Sequence, residues 1–310
     1  MKKFFSILLV TLMIVSKAQA QPDLEEKIRA QSKAQFADLE RKSRNNTPTF
    51  VASINPIYQI LLAITGDKNN TILLFNPNKS EHDYELEKAD IEVLNRAKAI
   101  FYVDDEFEKI FAKVVKNFLL QNKSYQVSKA PNLKLLNQRN NSGKIDFHLW
   151  LNPKNAVEIA EFMSIKLCAL DAMNCGKYRN NYQKFSDEIN GVVSDLNKKI
   201  SSYRNLGFVF YHDGYQYFED YFDLKSAMVL SYEGDAEIGV AALRKFDSFA
   251  KSKRLRCVFG EVLDESNTAV RLARKYQINY QPINSVGMND DSYGSMLIGL
   301  VDEFDDCLFY

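Results

Sequence analysis

The sequence predicts an α/β protein of two lobes, each a mostly parallel sheet flanked by helices, with a long helix between them. Three observations carry that expectation. Short β-branched and aromatic runs alternate with helical periods from Thr49 onward, as a parallel sheet with crossover helices requires. The alternation gives way to long helical periods between Pro153 and Arg204, then resumes at Gly207. The length beyond the N-terminal leader, about 290 residues, suits two domains of about 100 to 200 residues each.

The leader comes first. Met1-Lys2-Lys3 is cationic, Phe4 to Val15 is apolar and Ala18-Gln19-Ala20 is a small-x-small cleavage signal. Residues 1–20 therefore read as a secretory signal peptide cut after Ala20, with an apolar run too short to span a bilayer. No cysteine follows the cleavage region, which argues against a lipid anchor, and no later segment approaches membrane-spanning length. Residues 21–48 are rich in Glu, Lys, Arg, Gln and Ala with a thin apolar stripe, ending in the breakers Asn45-Asn46 and Pro48. They read as a polar, loosely ordered extension.

A first lobe is expected over residues 49–175. Thr49 to Ile54 reads as a buried strand, Ile57 to Ile64 as a helix, Thr71 to Phe75 as a strand, Glu87 to Arg96 as a helix and Ala99 to Val103 as a strand. Asp105 to Leu120 is amphipathic and helical, and Gln121 to Gly143 is polar around a short apolar run. Asn152-Pro153 pairs an N-cap residue with proline at the first helical position, opening a helix to about Leu170. Residues 176–205 form a longer helix, because Tyr182, Phe185, Ile189, Val193, Leu196 and Ile200 recur at helical spacing.

A second lobe follows over residues 206–310. Its strands are expected at Gly207 to Tyr211, Ala227 to Leu230 and Leu255 to Gly260. Helices are expected at Gly214 to Tyr221, Ile238 to Ser252, Ser266 to Tyr276 and Ser292 to Phe304. Forty basic and 40 acidic residues balance, so composition gives no support to a nucleic-acid partner. Four cysteines in an exported chain permit disulfides, with three pairings possible.

The three histidines and the single tryptophan carry the chemistry. His82 stands in Ser80-Glu81-His82-Asp83-Tyr84, His148 in Asp146-Phe147-His148-Leu149-Trp150, and His212 in Phe210-Tyr211-His212-Asp213-Gly214-Tyr215. Each falls where a strand is expected to give way to a loop, and in open α/β sheets ligands bind beyond the carboxyl ends of the strands. Neutral imidazole is the commonest nitrogen ligand for zinc, and the acidic neighbours suit either partial ligation or fixing the imidazole tautomer. Three histidines around one metal ion is the reading these contexts favour over three separate structural histidines.

The blocks Glu81 to Tyr84, Asp146 to Pro153 and Phe210 to Tyr215 resemble, in the same order, motifs of the periplasmic zinc-binding proteins of bacterial high-affinity zinc ABC importers. The resemblance runs from about Phe50 to Leu308. It implies a periplasmic, monomeric solute-binding protein and not an enzyme. Such a protein captures Zn2+ between two lobes joined by a rigid linking helix and passes it to membrane permease and ATPase subunits.

It also implies a disulfide between Cys257 and Cys307, fastening the last helix to the second lobe. Cys168 and Cys175 then remain either a second pair or two thiols. His212 stands where manganese-binding relatives have Glu, and Asn284 where they have Asp, so the donor set points to zinc rather than manganese. Glu81, Glu261 or a water completes the tetrahedron. The polar stretch after Leu120 lacks the histidine-rich loop common in the family, which argues against a secondary capture site there. A manganese or iron importer component and a stand-alone zinc buffer are the neighbouring alternatives. A hydrolase, which would share three histidines and a water, finds no His-Glu-x-x-His or Gly-x-Ser-x-Gly motif.

Overall fold

Residues 49–75, 86–232, 238–252, 254–262, 268–288 and 290–309 are described by a computed structural model. The expected signal peptide (residues 1–20), the expected 21–48 extension, Glu81 and His82 lie outside the described residues.

The first half opens with strand β1 (Phe50–Ala52), helix α1 (Asn55–Thr65), strand β2 (Thr71–Leu73), helix α2 (Lys88–Arg96), strand β3 (Ala99–Tyr102), helix α3 (Lys109–Asn117) and strand β4 (Ser124–Gln126). The four strands form one parallel sheet in the order β2-β1-β3-β4. Every residue of β1 and β3 is buried, as expected of central parallel strands covered on both faces. A hairpin of β5 (Asn137–Gln138) and β6 (Asn141–Ile145) follows, outside that sheet.

Helix α4 (Pro153–Leu170) begins where the sequence places it. Asn152 is the N-cap, its Oδ1 accepting from the amides of Lys154 at 2.9 Å and Asn155 at 3.2 Å. Replacing Asn152 by Ala removes that acceptor from two amides at a buried helix start. The expected loss is about 1 kcal/mol in denaturant unfolding; an unchanged midpoint would show that the cap contributes nothing.

Helix α5 (Cys175–Ile200) is the long central helix. Its buried stripe is Tyr178, Phe185, Ile189, Val193, Leu196 and Ile200, with Tyr182 only half-buried. Along its length α5 meets both halves of the fold. Asn181 Nδ2 donates to Ile64 O of α1 at 2.9 Å, and Lys199 Nζ reaches Asp302 at 2.8 Å on the last helix.

The second half runs through strand β7 (Gly207–His212), helix α6 (Gln216–Phe222), strand β8 (Met228–Ser231), helix α7 (Val240–Lys251), strand β9 (Leu255–Glu261), helix α8 (Thr268–Tyr276), strand β10 (Asn279–Ile283) and helix α9 (Tyr293–Phe309). These strands make a second parallel sheet in the order β10-β9-β7-β8. One face packs Val209, Leu230, Phe246 and Val258. The other is aromatic: Phe304 of α9 lies 5.5 Å from Phe208, 5.5 Å from Phe218 and 4.3 Å from Phe259, centroid to centroid.

Four strands escaped the sequence reading: the two of the exposed hairpin, β5 and β6, and one at an edge of each main sheet. Both β4 and β10 are edge strands, half-exposed and without the continuous apolar run of a central strand. Pro282 sits within β10, where an edge position tolerates the missing amide. Helix α3 starts at Lys109 rather than Asp105, because Asp104 Oδ1 accepts the amide of Glu106 and holds residues 104–108 in a turn.

Both cysteine pairs are bonded. Cys168–Cys175 staples the turn between α4 and α5, and Cys257–Cys307 joins β9 to α9. Among the described residues, no helix is long and apolar enough to cross a membrane.

Candidate metal site

The second sheet changes strand direction of addition between β7 and β9: β8 is laid on one side of β7, β9 and β10 on the other. At such a point the loops leaving the two central strands diverge and open a crevice. His212 is the last residue of β7 and Glu261 the last of β9. Their side chains meet, with His212 Nδ1 3.6 Å from Glu261 Oε1.

His148 arrives by a different route. It follows the exposed hairpin, not a strand of either main sheet, and opens a 3-10 turn at Leu149–Leu151 whose three side chains are fully buried. Trp150 anchors that turn: its Nε1 donates to Ser285 O at 2.8 Å, and Tyr293 Oη donates to Trp150 O at 2.6 Å. His148 packs against Trp150 at 5.4 Å and Phe107 at 5.7 Å between ring centroids. Its Nδ1 lies 2.8 Å from Asp146 Oδ1, which also accepts the His148 amide at 3.0 Å.

The two imidazoles thus converge from different parts of the chain. Their centroids are 5.2 Å apart, and the residues are 7% and 6% exposed. Gly214 lets the backbone run beside them. A Cβ there would lie 3.3 Å from His148 Nε2 and 3.5 Å from His212 Cε1, tighter than comfortable contact on the first. Glycine in the His212-Asp213-Gly214 block therefore has a packing reason.

Charged groups surround the pair. Asp213, beside His212, is pushed up to about 7 by burial; Arg139 opposes that rise, while Asp146 and Glu219 add to it. Arg139 reaches from the hairpin to Asp213, Nη1 to Oδ1 at 3.1 Å, and pairs through Nη2 with Glu219 at the start of α6. Burial lowers the Arg139 pKa but Glu219 and Asp213 outweigh it, holding the guanidinium above its ordinary value.

Of the sequence-derived candidates, His148, His212 and Glu261 are brought together here, while His82 and Glu81 lie outside the described residues. Among the described residues no three His, Cys, Asp or Glu side chains form a metal-holding group by themselves. Asn284 is turned to local work, its Oδ1 accepting from the Val286 amide at 3.3 Å. Sequence reasoning passed over Arg139, which sits in a polar run with no distinguishing pattern, and Tyr217, which reads as one more aromatic on a helix. The Asp146 partner was legible as an acid two residues from a histidine.

Comparison with known proteins agrees with this architecture. Residues 50–307 match the family model for zinc-uptake complex component A, periplasmic. The high-affinity zinc uptake system protein ZnuA of Brucella abortus (strain 2308) is 21% identical over 303 residues, an alignment covering 83% of this chain and 91% of that protein. Its counterpart in Yersinia pestis is 22% identical over 288 residues, covering 83% and 90%. A crystal structure of ZnuA shares the fold with a TM-score of 0.75 at 21% identity, over 84% of this chain and 99% of that one. Members of the matched family are metal-binding solute-binding proteins rather than enzymes. The match spans most of the chain, and the protein belongs to the family of the periplasmic component A of zinc-uptake complexes.

Proposed function

We propose that this protein captures zinc in the periplasm with His82, His148 and His212, and delivers it to the permease and ATPase subunits of an ABC importer. The observation that carries the reading is the shared build of the two described histidines. Each has a carboxylate beside Nδ1, Asp146 hydrogen-bonded to His148 at 2.8 Å and Glu261 3.6 Å from His212, so each can present Nε2 to an ion. Carboxylate–histidine–zinc arrangements of this kind fix the tautomer and raise ligand basicity. The ring separation also fits: a tetrahedral ion about 2.0–2.1 Å from two imidazole nitrogens sets the ring centroids roughly 5 Å apart. In this reading Glu261 supports His212 from behind, and Glu81 or a water takes the fourth position. The signal peptide sends the chain to the periplasm, where it works without a lipid anchor.

The donor set favours zinc over manganese or iron, since imidazole nitrogen suits zinc and carboxylate with water suits manganese. Metal analysis of the mature protein purified without chelator is expected to find zinc, and added zinc is expected to displace manganese. Equal or preferential retention of manganese would overturn the zinc assignment. Zinc-dependent growth of cells that hold the protein but lack its permease would favour a stand-alone buffer over an importer component.

A further inference from the structure

His148 lies in the first half of the sequence, but the contacts around it reach the second half. Tyr217 on α6 is fully buried and its hydroxyl is inserted between two backbone segments. It accepts from the Leu136 amide at 2.9 Å and donates to Asp146 O at 2.7 Å, while the Asp146 amide donates to Leu136 O at 2.8 Å. Two residues on stands His148. Arg139 extends the same docking by bridging Asp213 and Glu219, and Lys134 pairs with Asp220 of α6 at 2.6 Å.

We propose that Arg139 and Tyr217 are positioning residues that clasp the 134–146 segment onto α6, so that His148 and His212 form one half-site assembled before zinc arrives. The proposal rests on the zinc reading above. The physical reason is electrostatic as well as steric. Glu219 is buried and the Asp213 side chain is 7% exposed, and the Arg139 guanidinium that bridges them offsets a repulsion that would push the His212-Asp213-Gly214 turn away from α6. Asp146, the partner of His148 Nδ1, lies close enough to that guanidinium to feel its charge. Tyr217 supplies the register, since its hydroxyl is the shared partner of the two backbone positions that set the height of Asp146. A half-site built this way moves with the second lobe.

The test uses the full mature chain, with zinc affinity measured by chelator competition well below the unfolding temperature. Arg139→Gln is expected to weaken zinc binding by about tenfold, in the range seen when partners of metal-ligating side chains are lost. Arg139→Lys, which keeps the cation, should recover part of that loss. As a control for general destabilisation, Cys168→Ala with Cys175→Ala removes the staple at the α4–α5 turn and should leave zinc affinity unchanged. Tyr217→Phe should raise hydrogen exchange at the Leu136 amide in zinc-free protein, whereas in zinc-free wild type the Leu136 and Asp146 amides should stay as protected as with zinc. Exchange at these amides that opens on zinc removal from the wild type would overturn preassembly. Wild-type affinity in Arg139→Gln, alongside large losses in His148→Ala and His212→Ala, would overturn the clasp alone. Wild-type affinity in both histidine variants would overturn the zinc reading and the clasp with it.

Discussion

Zinc affinity is expected to fall by more than about 100-fold when His148 or His212 is replaced by Ala, since loss of a mere supporting partner already costs about 10- to 100-fold. The fold should survive either change. The two rings sit at the crevice, whereas the apolar cores lie between the sheets and their helices, at Phe101, Val209, Phe246 and Phe304. Each variant should therefore unfold near the wild-type midpoint without metal. The variants should also lose the stabilisation that zinc gives the wild type, about 2.7 kcal/mol at a free concentration 100 times the dissociation constant.

The pH dependence has a definite sign. A ligating imidazole must be neutral, and protons compete for it as pH falls through its ordinary pKa near 6.5. Affinity should thus be flat above about pH 7 and fall below about pH 6, more steeply than one imidazole alone would give. Chelator competition from pH 7.5 to 5 checks this. A flat profile, or wild-type affinity in two of the His82, His148 and His212 variants, would end the shared-site proposal.

The second large effect is covalent. Cys257 and Cys307 are 50 residues apart and at most 2% exposed, so their bond closes a long loop in the unfolded chain. Chain-entropy arithmetic for a loop of that length gives about 4 kcal/mol at 25 °C, against about 2 kcal/mol for the seven-residue spacing of Cys168 and Cys175. Set beside total stabilities of about 5–15 kcal/mol, the first is large. The bond also holds the end of α9 where Phe304 fills the aromatic face of the second sheet and Asn279 Nδ2 donates to Cys307 O at 2.8 Å. Double replacement by Ala should lower the denaturant midpoint far more than the Cys168/Cys175 replacement does. Zinc affinity should hold, because neither sulfur lies among the proposed ligands. A smaller loss from the longer loop than from the shorter would refute the argument.

The central strands, the Asn152 cap and the long helix were all legible in the sequence, because each rests on a local rule. Buried parallel strands must be apolar throughout, as Phe50–Ala52 and Ala99–Tyr102 are. An Asn-Pro pair opens a helix by its own side chain and ring. A stripe at 3.6-residue spacing survives any tertiary context that buries one face, although the structure moved its start from Tyr182 to Tyr178. The proposal of a metal site at histidines near acids is local in the same way, since scarcity and residue type are properties of the chain alone.

Only the tertiary structure decided which groups meet. Edge strands β4 and β10 are held by hydrogen bonds to neighbours distant in sequence, so their own residues need no pattern. Pairing Glu261 with His212 required β9 to lie beside β7, a consequence of strand order. Arg139 and Tyr217 acquired their places because a hairpin 80 residues before α6 folds back onto it. Sequence spacing carries no information about contacts of that range, since they are fixed by the packing of whole elements and the need to pair every buried charge.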